Sequence, residues 1–168
     1  MPVKVGGGKE LPGIRRVIPG WGEVVLRYLL CDLNGTLSLD GEVRVGVRRR
    51  LEQLADRLEI QVLTADTLGM ASQALEGLPV QLRVIMGEDT AGVKAQVVKE
   101  LGASNVVAIG NGRNDRLMLA EAVLGIAILG PEGASPATLA AADIVVPSIE
   151  DALDLLLLPG RLESTLRG

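Results

Sequence analysis

Apolar residues fall along this chain in short, nearly unbroken runs, divided by segments in which they recur every three or four positions. The runs at 23–32 (EVVLRYLLCD), 59–64 (EIQVLT), 80–86 (VQLRVIM), 105–110 (NVVAIG), 124–129 (LGIAIL) and 143–147 (DIVVP) lack polar alternation. They predict strands buried on both faces. A further strand over 14–19 (IRRVIP) is set apart by Pro19-Gly20, a turn signal. Helical spacing predicts helices over 47–58, with Leu51, Leu54 and Leu58 on one face, and over 68–77, 115–122, 135–142 and 149–158. Another spans 90–102 and is closed by Gly102. Asp40-Gly41 between short alternating segments predicts a small hairpin over 37–46.

Strands alternating with helices in this way imply βαβ units, a parallel sheet and helices on both sides, a three-layer α/β/α fold. With 168 residues the simplest organisation is one domain over 23–168, preceded by a Gly/Pro-rich lead-in over 1–22 that ends in an edge strand. In such sheets ligands bind beyond the carboxyl ends of the strands.

Composition narrows the chemistry. Aromatic residues are 1% of the chain, Trp21 and Tyr28 with no Phe, so the core is aliphatic and base stacking on aromatic platforms is excluded. A net charge of −4 argues against nucleic acid or an anionic membrane as partner. There is no His, which removes Ser-His-Asp triads, imidazole bases and His-ligated zinc. Cys31 stands alone, so neither a disulfide framework nor a Cys-ligated metal is available. The first ten residues contain no apolar signal region and no run of ~18 apolar residues occurs, so a soluble cytoplasmic protein is expected.

The predicted strand ends carry the reactive groups. Asp32 closes the run 23–32, Thr64 closes 59–64, and Asn111, Asn114 and Asp115 follow 105–110 in GNGRND. Lys94 lies one turn into the helix after the third run. Alone, each is an ordinary turn residue or helix charge; in one crevice they suit phosphoryl chemistry. Aspartate is a nucleophile toward phosphorus, and a hydroxyl and an ammonium hold its oxygens. Gly35 permits close approach of backbone N–H groups to an anion. Carboxylate and carbonyl oxygens suit Mg²⁺. Two rival motifs fail: G-x-G-x-x-G would need Gly where Asp115 stands, and in GGGKE Glu10 occupies the Ser/Thr position of a phosphate loop.

Taken together, CDLNGTL, LTAD, Lys94 and GNGRND resemble, in order, the four motifs of the haloacid dehalogenase-like (HAD) superfamily. Within that superfamily they look closest to the phosphorylation domain of P-type ATPases. LTAD is similar to the pumps' T-G-D, with Thr64 and Asp66 matching, and GIAILGPEGASPATLAAADIVV follows the pumps' run after the fourth motif. The likeness covers residues 24–158 and implies a HAD-like Rossmannoid fold with a hairpin flap and no cap domain. It further implies an aspartyl-phosphate mechanism with catalytic Asp32, Asn34, Thr64 and Lys94. Phosphate would be held by Leu33, Asn34, Gly35, Thr64, Ala65 and Lys94, and Mg²⁺ by Asp32, Asn34 (through its carbonyl), Asn111 and Asp115, with Asp66 and Asn114 as further candidates. The expected partner is a small phosphorylated substrate.

Two residues depart from the family pattern. Asn34 stands where HAD phosphatases carry an acid–base Asp, and an amide transfers no proton; general acid–base catalysis contributes about 10²–10⁴-fold. Asn111 stands where a metal-binding Asp is expected. The sequence therefore supports two readings: a slow phosphohydrolase or phosphotransferase favouring activated phosphates, and a HAD scaffold that binds phosphate or regulates without useful turnover. The leucine-rich LDLLLLPGRL is readable either as a homo-oligomer face or as a buried last helix.

Overall fold

The structure, a computed structural model, describes residues 3–5, 9–66 and 69–168. In chain order the elements are β1 (Val3–Val5), β2 (Lys9–Leu11), β3 (Ile14–Ile18), β4 (Gly22–Leu26), β5 (Tyr28–Asp32), α1 (Val45–Leu54), β6 (Glu59–Thr64) and α2 (Met70–Ala74). There follow β7 (Gln81–Val84), α3 (Thr90–Leu101), β8 (Val106–Gly110), α4 (Arg116–Glu121), β9 (Leu124–Ile128), α5 (Pro136–Ala141), β10 (Ile144–Val146), α6 (Ile149–Leu157) and α7 (Gly160–Leu166).

Six strands form one sheet in the order β10-β9-β8-β5-β6-β7, every neighbouring pair parallel. The unbroken apolar runs are explained by a core on each face. Along β5, Leu29 and Cys31 enter one apolar cluster and Leu30 the other; along β8, Val107 and Ile109 enter the first and Val106 and Ala108 the second. The period of two thus sends successive residues to opposite cores, and every position must be apolar. The first core lies under α1 and α6, which Arg50 and Asp154 join by a two-pronged ion pair at 2.7 and 3.0 Å. Strand order reverses at β5, with β6 and β7 on one side and β8 to β10 on the other. That reversal opens a crevice at the carboxyl ends of β5 and β8.

Four expectations need correction. The run 23–32 is two strands, not one. β4 folds back on β3 in an antiparallel hairpin, and only β5 joins the main sheet. The break is at Arg27, whose N–H donates to the Asn105 carbonyl and whose carbonyl accepts from the Glu59 N–H. Residues 14–18 are accordingly no edge strand of the sheet. The hairpin also crosses the expected 22/23 boundary and buries Ile14, Ile18, Val24 and Leu26 in the first core. Within the lead-in β1 pairs with β2 antiparallel; residues 1, 2 and 6–8 lie outside the described residues. The expected helix 68–77 is reduced to α2, and Leu68 lies outside the described residues.

α7 was not foreseen. The leucine-rich segment is the chain's own core: Leu153, Leu155 and Leu156 are buried in α6 and Leu162 in α7, while Leu158 is exposed. α7 lies against β3, and the Gly168 N–H donates to the Pro19 carbonyl, so the C-terminal helix seals the N-terminal hairpin. Leu162→Ala should therefore cost ~2–5 kcal/mol. Urea unfolding followed by circular dichroism measures it; a loss below ~0.5 kcal/mol would show that α7 is not packed as described.

Candidate active site

α3 starts where it does because Asp89 accepts a hydrogen bond from the Gly92 N–H at 2.9 Å, an N-cap, and it ends at Gly102 with φ +89°. That start places Lys94 on the helix face under the sheet, with 1% of its surface exposed. Its Nζ donates to Asp32 Oδ1 at 2.6 Å and to Asp115 Oδ1 at 2.7 Å. Three residues 62 and 21 positions apart in sequence thus share one ammonium.

Asp115 is fully buried. Its second oxygen accepts from the backbone N–H groups of Asn111, at 3.0 Å, and Gly112, at 2.9 Å. It therefore fixes the loop after β8 from behind. Both Asp115 oxygens are thus engaged inside the protein, one with Lys94 and one with the loop after β8. Gly110 admits this arrangement, because a Cβ there would lie 2.5 Å from the Asp115 carboxylate.

Asp32 is the carboxylate that reaches the opening, its side chain 13% exposed. Burial, reinforced by the Asp115 charge and opposed by Lys94, pushes its pKa up to about 6. Burial by itself would lower the Lys94 ammonium, but the two carboxylates hold it above its ordinary value. Burial raises the neighbouring Cys31 thiol strongly, so Cys31 is an inert core residue.

The loop after β5 turns over itself: Thr36 N–H and Ser38 N–H donate to the Leu33 carbonyl, and Gly35 N–H donates to the Ser38 carbonyl. Gly35 has φ +76°, a conformation suited to glycine. The Leu33 N–H is taken by the Leu63 carbonyl. Of the three amides of this loop expected to face phosphate, Leu33 and Gly35 are thus committed within the protein, which leaves Asn34. Asp40 and Gly41, both at positive φ, close the expected hairpin as a two-residue turn between Leu39 and Glu42.

Thr64 ends β6, one residue beyond Leu63, which pairs in register with Asp32. Its Oγ1 accepts from the Asp66 N–H at 3.0 Å, so its hydroxyl proton points elsewhere. Asp66 Oδ2 accepts from the Ala71 N–H at the start of α2, which gives Asp66 a capping task. Ala65 is exposed, and Asn114 lies on the short 3-10 turn Arg113–Asp115 with its amide oxygen over Gly112. Asn111 is buried: Oδ1 accepts from Thr36 Oγ1 at 3.1 Å, and Nδ2 donates to the Gly133 carbonyl at 2.9 Å.

The oxygens at the crevice fit a hard divalent cation. Asp32, the Asn34 carbonyl (no described group donates to it) and Asn111 Oδ1 are all oxygen donors, and no nitrogen or thiolate ligand competes. No group of three or more acidic, His or Cys side chains clusters as ligands among the described residues, so such a set depends on amide and backbone carbonyl oxygens.

Three residues passed over in the sequence belong to this site. Thr36 holds Asn111, Thr138 Oγ1 donates to the Gly112 carbonyl at 2.6 Å, and Glu132 lies over Gly35. Two of them had a signal in the sequence: Thr36 closes the CDLNGT motif, and Glu132 is a lone acid framed by Gly130 and Gly133. Two cavities flank the loop after β5. One, of about 280 Å³, includes Gly35, Thr36, Arg44 and Pro131; the other, of about 290 Å³, includes Leu33, Asn34 and Asp66.

Because Asp32 titrates near 6 in the folded protein and near 3.8 when unfolded, the folded state binds the extra proton between those values. Ionising Asp32 therefore destabilises the fold as pH rises from about 4 to about 6. In EDTA, the melting temperature of Asp32→Asn relative to wild type should rise over that window, by roughly 5 °C. A pH-independent difference would show that Asp32 is not held above its ordinary value.

No protein-family model matches the chain. The fold is shared with solved HAD-superfamily hydrolases. 3-Deoxy-D-manno-octulosonate 8-phosphate phosphatase from Moraxella catarrhalis, solved with magnesium, phosphate and KDO, has TM-score 0.62 and 18% identity, over 79% of this chain and 86% of that one. The cobalt-bound phosphatase YrbI from Haemophilus influenzae has TM-score 0.67 and 16% identity, over 85% and 94%. Two curated sequences from Methanocaldococcus jannaschii are more similar in residues. The uncharacterized protein MJ0072 is 51% identical over 39 residues, which are 23% of this chain and 89% of that protein. The uncharacterized protein MJ0073 is 49% identical over 78 residues, 44% of this chain and 84% of that protein, and the chain belongs to its family.

Proposed function

We propose that the protein is a Mg²⁺-dependent phosphohydrolase or phosphotransferase that works through an aspartyl phosphate on Asp32. The observation that carries this reading is the Lys94 ammonium shared by Asp32 and Asp115 at the sheet's reversal point. An Asp32 oxygen bonds to phosphorus while the bond from phosphorus to the leaving oxygen breaks, and the leaving group departs with that electron pair. Water then attacks phosphorus, the Asp32–phosphorus bond breaks, and phosphate leaves with the proton lost from water. On this reading Lys94, the Thr64 hydroxyl and the Asn34 and Ala65 N–H groups would hold phosphoryl oxygens. Bound Mg²⁺ would lie among Asp32, the Asn34 carbonyl and Asn111 and supply charge stabilisation at the phosphoryl group.

Asn34 cannot give a proton to a leaving group or take one from water. The substrates are therefore small phosphorylated molecules with good leaving groups, acyl phosphates first, and the phosphoenzyme is long-lived. The motif likeness to the P-type ATPase phosphorylation domain points the same way. No helix among the described residues is long and apolar enough to cross a membrane, and the reading adds a cytoplasmic setting. A second reading, a phosphate-binding module without turnover, is favoured by Asn34 and Asn111, amides where the resemblance leads one to expect an acid–base and a metal-binding carboxylate.

Acetyl phosphate with Mg²⁺ separates them. Wild type should turn over and Asp32→Asn should not. Asn34→Asp should speed hydrolysis of an alkyl phosphomonoester by about 10²–10⁴-fold. Equal rates for wild type and Asp32→Asn would overturn the enzyme reading. Mg²⁺-dependent beryllofluoride binding without steady-state turnover would favour the module.

A further inference from the structure

Glu132 occupies an unusual place. A Cβ on Gly35 would overlap its Oε2, so the carboxylate rests directly on the backbone of the loop after β5, and that same point is 3.3 Å from Asn111 Nδ2. The Gly35 backbone is joined by one peptide bond to the Asn34 carbonyl. The Glu132 oxygen therefore lies against the loop that carries the Asn34 carbonyl, on the side where the Asn111 amide group approaches Gly35. No hydrogen bond or ion pair to Glu132 occurs among the described residues.

The loop that brings it there is held, not draped. Gly130 N–H donates to the Pro147 carbonyl, Gly133 N–H to the Gly130 carbonyl, and Ser135 N–H to the Asn111 carbonyl. Asn111 Nδ2 closes the set by donating to the Gly133 carbonyl, one residue from Glu132. A carboxylate at position 111 has no N–H and would face the Gly133 carbonyl and Glu132 with a repulsive charge. An amide there forgoes a charge but secures the loop that carries one.

Charge counting gives the same answer. Asp32 and Asp115 bring two negative charges and Lys94 returns one positive, so the crevice alone holds a single net negative charge against a divalent cation. Glu132 supplies the second. We propose that Glu132 is a metal-site residue of this chain, binding the cation directly or through a coordinated water and replacing the carboxylate absent at Asn111. This rests on the metal-dependent reading above.

The test reads metal binding, with no substrate present. Free Mn²⁺ is titrated by electron paramagnetic resonance, with Mg²⁺ as competitor, against wild type, Glu132→Gln, Asp32→Asn and Glu150→Gln. Glu150 lines the neighbouring cavity and controls for general surface charge. Glu132→Gln should weaken Mn²⁺ binding by about 10–100-fold, while Glu150→Gln changes it less than about twofold. Melting temperatures in EDTA should match wild type for both, because these side chains are exposed or half-buried. Unchanged Mn²⁺ affinity in Glu132→Gln, with binding lost in Asp32→Asn, would overturn the Glu132 assignment and leave the metal-dependent reading standing. Equal weakening by Glu150→Gln would also overturn it. Absence of Mn²⁺ binding to wild type would overturn both.

Discussion

An ammonium buried to 1% exposure cannot stay charged without carboxylates beside it, and Lys94 has two. The rest of the site follows from meeting that demand. Asp115 satisfies it from inside and spends its other oxygen on two backbone N–H groups of the loop after β8. Asp32 satisfies it from the crevice side and keeps partial access to solvent. Removing either carboxylate would leave Lys94 with half its compensation, and removing Lys94 would leave two carboxylates facing each other in a dry environment. Breaking such a buried pair typically costs ~3–5 kcal/mol, so the constellation is structural as well as chemical.

The sheet makes the meeting possible. Parallel strands bring all their carboxyl ends to one edge, and the order reversal at β5 leaves that strand's end uncovered by a crossover helix. Asp32, Thr64 and the loop after Gly110 lie on that edge by register alone. The absence of an inserted domain among the described residues keeps the edge open, with only the short hairpin after Asp32 and its two flanking cavities above it.

Much of this was readable from the residues. The central strands β5, β8 and β9 were legible because burial on both faces leaves almost no polar position, whereas β7, QLRV at the sheet edge, is alternating and partly exposed. Lys94 was legible through its place one turn inside a helix with a clear Gly102 stop. The division of 23–32 was not, because EVVL and YLLCD are equally apolar, and only the tertiary pairing of β3 with β4 decides that Arg27 is a break. α7 escaped because Pro159-Gly160 reads as an end, although Pro159 serves as its N-cap residue. At the site, residue identity gave Asp115 and Leu33 plausible tasks. Their hydrogen bonds show that both Asp115 oxygens and the Leu33 N–H are already used.

The two asparagines, alike in sequence as lost acids, are unlike in consequence. Asn111 has both ends of its amide engaged, accepting from Thr36 and donating to Gly133, and the second bond is one that aspartate cannot make. Its lost charge has a neighbour able to restore it, because charge acts through space and tolerates a change of donor. Asn34 lost something that does not transfer in this way. Proton donation to a leaving oxygen demands contact at hydrogen-bond distance, and the carboxylate packed on the Gly35 backbone is proposed for a cation, not for that contact. On the proposed phosphoryl-transfer reading, a site with its charge restored but without a proton donor would hold the phosphoryl group well and release it slowly.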